Sequence, residues 1–127
     1  MKYLAPILVA ASLLLSSLNV PAHDAHHPEH DGWYRTLMQP DNPDVSCCGL
    51  ADAYWADEVH VKDGKTYVVI QDDRDNEALG RPPIANGTWV HVPNHKLKFD
   101  RGNPTGHGVV FMRGVDTVFC YVYGQLS

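Results

Sequence analysis

From Glu58 onward, apolar and polar positions alternate in short runs separated by turn formers, the period of half-buried strands. Val59 and Val61 alternate with His60 and Lys62, Asp63-Gly64 follows, and Tyr67-Val68-Val69-Ile70 comes next. An Asp-Gly pair between two β-branched runs predicts a two-residue hairpin, because both turn positions need positive φ. Asp72 to Asn86 carries four acidic residues and Pro82-Pro83, and reads as a long loop. Thr88 to Val92, Val109 to Met112 and Thr117 to Tyr123 complete five strands. In the last, Val118, Cys120 and Val122 share one face and Phe119, Tyr121 and Tyr123 the other. The expected fold is mainly β, a small antiparallel barrel or open roll of about five strands with an irregular N-terminal arm. A short helical turn is expected within Gly49 to Ala56.

The N-terminal part lacks this alternation. Residues 1–22 read as a signal peptide, with Lys2 before an apolar stretch and Val20-Pro21-Ala22 as the cleavage site. The stretch is shorter than the roughly 20 residues of a membrane span and is interrupted by Pro6 and serines. Residues 23–43 form a polar, His-rich arm that would dock through Trp33 and Tyr34, and 44–127 form one small β domain. Export implies a periplasmic or extracellular location. Loss of Lys2 takes the formal charge from −5 to −6. Scattered basic residues and an acidic balance exclude a nucleic-acid partner or an anionic membrane surface.

An oxidising compartment gives the cysteines meaning. There are three, Cys47, Cys48 and Cys120. Cys120 lies mid-strand and pairs with either Cys47 or Cys48; closing a loop of 73 residues or so would stabilise by roughly 4 kcal/mol on the chain-entropy model. The spare cysteine is a buried inert thiol, a reactive thiol, a metal ligand or the link of a covalent homodimer.

Histidine is the second unusual residue, at eight, and four of these are His23, His26, His27 and His30. A free amine at His23 with its imidazole would chelate, and the other three could complete a site for copper(II), zinc or nickel. Asp24, Glu29 and Asp31 add oxygen donors. His60 and His91 alternate with valines and face solvent; His95, Asp100 and His107 make a possible second polar cluster. The acidic loop fails as a calcium-binding EF-hand, with Ala78 where Gly is required and Ile84 where the bidentate Glu belongs.

Trp33-Tyr34, Cys47-Cys48-Gly49 with Ala51-Asp52-Ala53-Tyr54-Trp55, Asn103-Pro104-Thr105-Gly106-His107 and Phe119-Cys120-Tyr121 resemble a group of small exported proteins of α-proteobacteria. The resemblance covers the mature chain. It implies a secreted, disulfide-bearing β domain and carries over no catalytic residue. Cys48-Gly49-Leu50 is also similar to the nucleophile turn of papain-like cell-wall peptidases, with His107 as base oriented by Asp100 or His95, although that turn opens a long helix and here a strand follows closely. The sequence thus implies an exported binding or structural protein, with copper or zinc on the N-terminal histidines. The alternative is a Cys/His thiol hydrolase.

Overall fold

The computed structural model describes residues 27–124. The expected signal peptide, His23 and His26 lie outside them. Elements in chain order are α1 (Asp31–Thr36), β1 (Met38–Gln39), β2 (Asn42–Ser46), β3 (Asp52–Trp55), β4 (Glu58–Lys62), β5 (Lys65–Val69), β6 (Trp89–Val92), β7 (Leu97–Lys98), β8 (Val109–Arg113) and β9 (Thr117–Val122). A 3-10 turn, Pro28–His30, precedes α1, and another, Asn94–Lys96, precedes β7. The fold is mainly β, with no closed barrel. The described strands form a pair β1-β2, a four-stranded sheet β3-β8-β9-β7 and a three-stranded sheet β4-β5-β6.

All five expected strands form. The Asp63-Gly64 hairpin forms too: Lys62 pairs with Lys65 across two residues at φ 53° and 75°. The helical turn expected within Gly49 to Ala56 is instead β3. Tyr54 and Ala56 pack into one core while Ala53 and Trp55 face the other, and pairing of Asp52–Trp55 with β8 overrides alanine's helix propensity. The short helix lies in the N-terminal arm. β7 runs parallel to β9, a departure from the all-antiparallel expectation.

Two apolar clusters flank the four-stranded sheet. The first lies between the two larger sheets and includes Tyr54, Val68, Ile70, Val90, Val92, Val110, Met112 and Tyr121. The second sits on the opposite face, where Tyr34, Leu37, Cys47 and Cys48 meet Val109, Phe111, Cys120 and Val122. β8 is therefore covered on both sides, which explains its unbroken run Val109-Val110-Phe111-Met112. The register slips between Phe111 and Met112, so that Phe111 pairs with Cys120 but Met112 with Val118. This bulge moves Val118 to the first cluster, away from the Cys120 and Val122 face on which strict alternation had placed it.

The arm is part of the body. Tyr34 is buried edge-on against Phe111, at 5.8 Å between ring centroids. Trp33 Nε1 donates to Asp100 Oδ2 at 3.1 Å, and Lys96 Nζ reaches Asp41 and Gln39.

Candidate metal centre

The turn that carries the histidines is built from four residues, His27-Pro28-Glu29-His30. Proline at the first helical position has its φ already set and gives up only an N–H that a helix start leaves unused. The His30 N–H then bonds to the His27 carbonyl at 2.9 Å, closing one 3-10 turn. With three residues per turn, positions i and i+3 eclipse. The rings of His27 and His30 accordingly stack, with centroids 5.1 Å apart.

Glu29 joins them. Its Oε1 lies 3.0 Å from His27 Nδ1. One donor atom each from His27, Glu29 and His30 falls within 4.8 Å of the others, the one such group among the described residues. Ligands at ~2.1 Å on a tetrahedral zinc stand about 3.4 Å apart, so small rotamer changes close the set. A backbone hydrogen bond at Glu29 and then the contact with His27 lower the pKa of this exposed carboxyl, keeping it an anionic donor. Next to it, His30 Nδ1 and Asp31 Oδ1 are buried and have no hydrogen-bond partner among the described residues. Such buried groups are normally satisfied. Two imidazoles and a carboxylate are ligands that suit zinc or copper(II).

The other residues singled out by sequence separate. Cys47 and Cys120 form the disulfide, which is intramolecular, and Cys48 is free and buried. The Cys48 thiol donates to the Tyr34 carbonyl at 3.0 Å, and burial pushes its pKa up to about 12 against the opposing pull of Ser46. A thiolate is the nucleophilic form, so this sulfur is held in its unreactive state. A covalent dimer through Cys48 would require it to leave this position.

His95, Asp100 and His107 do not come together. His95 lies 4.0 Å from Asp41, Asp100 receives Trp33 Nε1, and His107 Nδ1 pairs with Asp57 Oδ2 at 2.9 Å. For His107 the local cause is Asn103. Its buried amide donates to the carbonyls of His107 and Tyr123 and its oxygen accepts from Thr105, folding the Asn-Pro-Thr-Gly-His segment onto itself. His107 is thereby turned onto Trp55, with ring centroids 3.8 Å apart, and its Nδ1 is taken by Asp57 rather than by a thiol or hydroxyl among the described residues. Cys48 and His107 thus each have other partners, and a strand rather than a helix follows the cysteine. His60, expected to face solvent, does lie on the outer face of its sheet, where it is part-covered by stacking on Trp89.

A second polar cluster escaped the sequence reading. Asp72 is the one acid of its loop that turns inward. Its oxygens accept from Trp55 N, from Arg74 N, Nε and Nη2, and from Arg81 Nη1. Arg81 in turn stacks over Tyr54 and donates to the Ala53 carbonyl. Burial alone would raise the Asp72 pKa, but Arg74, Arg81 and the Trp55 N–H outweigh it and hold the carboxyl well below the usual range. This cluster anchors the 72–86 loop against β3. A lone acid among four in a loop gives no sequence signal of that role.

Comparison of the chain with protein-family models, curated proteins and solved structures gave no match. Among the described residues no helix is long and apolar enough to cross a membrane.

Proposed function

We propose that this is an exported, extracytoplasmic protein that binds a copper(II) or zinc ion through His27, Glu29 and His30. The observation that carries the reading is the convergence of these three donors on one 3-10 turn, beside two buried polar atoms without hydrogen-bond partners among the described residues. An internal disulfide is compatible with an oxidising location. His23 and His26 precede the turn closely enough in sequence to supply further nitrogen donors. Binding is favoured over the thiol-hydrolase alternative, because the buried Cys48 thiol and the His107 imidazole each have other partners.

Calorimetric titration of the chain from residue 23 with copper(II) and with zinc tests this. One ion per chain should bind at sub-micromolar Kd, and His27→Ala with His30→Ala should weaken it at least ~tenfold, about 1.4 kcal/mol. Affinity should fall on acidification, since imidazolium cannot ligate. Unchanged affinity in the double variant would move the site off this turn and end the proposal.

A further inference from the structure

The three-stranded sheet has one face in the first core and one face outside it. Thr66, Val68, Val90 and Val92 point inward and are buried. The outer face carries rings. Register sets His60 beside Tyr67 and Tyr67 beside His91 in one row, with Trp89 opposite Val69 in the next. Trp89 stacks on His60 at 4.4 Å, bridging the strand between them, yet remains 50% exposed.

Beyond the edge strand β6 this face continues into a cleft of about 500 Å³, closed on the far side by the β8–β9 turn and by the 3-10 turn before β7. Tyr67, Trp89, His91, His95, Asp116 and Thr117 supply its chemistry. The volume is that of a small-molecule site. We propose that this cleft binds a neutral saccharide, a second site that shares no residue with the metal turn.

The ligand class follows from charge and shape. Lys96 also borders the cleft, but Asp41 takes its ammonium at 2.9 and 3.0 Å and lies 4.0 Å from His95 as well. Asp116 adds a negative charge on the opposite rim. The field therefore has no single sign to favour an ionic ligand. A nucleotide or single-stranded nucleic acid would pair such rings with a cationic track, which the cleft lacks. What lines it is the rings of Tyr67 and Trp89, one face of Trp89 being covered by His60, together with an imidazole pair, a carboxylate and a hydroxyl. That is the complement of a pyranose, whose C–H faces are apolar and whose rim carries hydroxyls that both donate and accept.

The experiment is calorimetric titration with three neutral probes, cellotriose, maltotriose and chitotriose, and one anionic comparator, trigalacturonate. At least one neutral probe should bind saturably with Kd of ~1 mM or tighter. Trp89→Ala should weaken it at least ~tenfold, and Trp89→Phe, which keeps a ring face, by less. Asp116→Ala, in an exposed turn where it threatens no packing, should weaken it several-fold with an unchanged melting temperature. Absence of saturable binding by all three neutral probes, or affinity indifferent to both Trp89→Ala and Asp116→Ala, would overturn the proposal. So would tighter binding of trigalacturonate than of any neutral probe.

Discussion

The loop cluster at Asp72 and the histidine turn at His27–His30 are both gatherings of polar side chains. At Asp72 the carboxylate is matched from within: both oxygens are used by Arg74, Arg81 and the Trp55 N–H, and the side chain is 1% exposed, although Arg81 Nη2 and Trp55 Nε1 beside it are buried without a hydrogen-bond partner among the described residues. The turn differs in its exposure, with His27 and Glu29 open to solvent. Donors converge, and His30 Nδ1 and Asp31 Oδ1 remain without partners among the described residues. A buried cluster built around a paired charge holds the fold, whereas an accessible convergence of donors is where a ligand can be taken. The two should therefore respond oppositely to mutation, one in stability and the other in binding.

The largest effect is expected at Asp72. Asp72→Ala leaves Arg81, 2% exposed, as a buried charge without its carboxylate, and should cost ~3–5 kcal/mol. For a domain of this size the melting temperature should drop by more than about 10 °C. Acid gives the matching test. The folded-state pKa of Asp72 is depressed, so its stabilisation is full above the unfolded value of ~3.9 and is lost as pH falls below that toward the folded value. The gap in urea midpoint between wild type and Asp72→Asn should accordingly shrink from about pH 4 downward. A gap constant with pH would mean that the carboxylate's charge is not what anchors the loop.

Removing the disulfide with Cys47→Ala and Cys120→Ala should cost roughly 4 kcal/mol on the chain-entropy model for its 73-residue separation. Cys48 belongs with Asp72, since its thiol is buried and already bonded to the Tyr34 carbonyl. Native protein should show no thiol reactive to an aromatic disulfide reagent, and one after denaturation. Cys48→Ala should cost only ~1 kcal/mol. A rapidly reacting native thiol would place Cys48 among the open sites instead.

Local chemistry was legible and long-range partnership was not. Asp63-Gly64 announced its hairpin because both residues take positive φ within the turn itself. The His27-Pro28-Glu29-His30 spacing is equally local, and the histidines were visible as candidate ligands, though not their eclipsing on a 3-10 turn. By contrast, the choice of Cys47 over Cys48 depends on a carbonyl of Tyr34, fourteen positions upstream. Asp72 could not be told from Asp73 or Asp75, because its selection rests on Trp55 in β3 and on Arg81 folding back from nine residues further along the loop. Strict alternation in β9 failed at one bulge, and β3 was missed because its pairing with β8 lies more than fifty residues away in sequence. The cleft at Trp89 needed three separate turns and strands to meet.

The smallest stability effect is expected at the histidine turn. His27 is exposed, and its contact with Glu29 joins two side chains 48% and 63% exposed, a kind of pair that contributes little. The backbone bond of His30 to His27 does not depend on its side chain, whose ring stacks on His27 and interacts weakly with the Glu29 carboxylate. Substituting both by alanine should change stability by no more than about 0.5 kcal/mol, read as an unchanged urea midpoint without metal. With copper(II) present in excess, wild type should gain melting temperature through binding to the folded state, and the double variant should not. A loss of stability without metal as large as that of Asp72→Ala would erase the distinction, because the turn would then be holding the arm in place. Metal-dependent stabilisation that vanishes while the metal-free midpoint stays put would separate the two clusters by function.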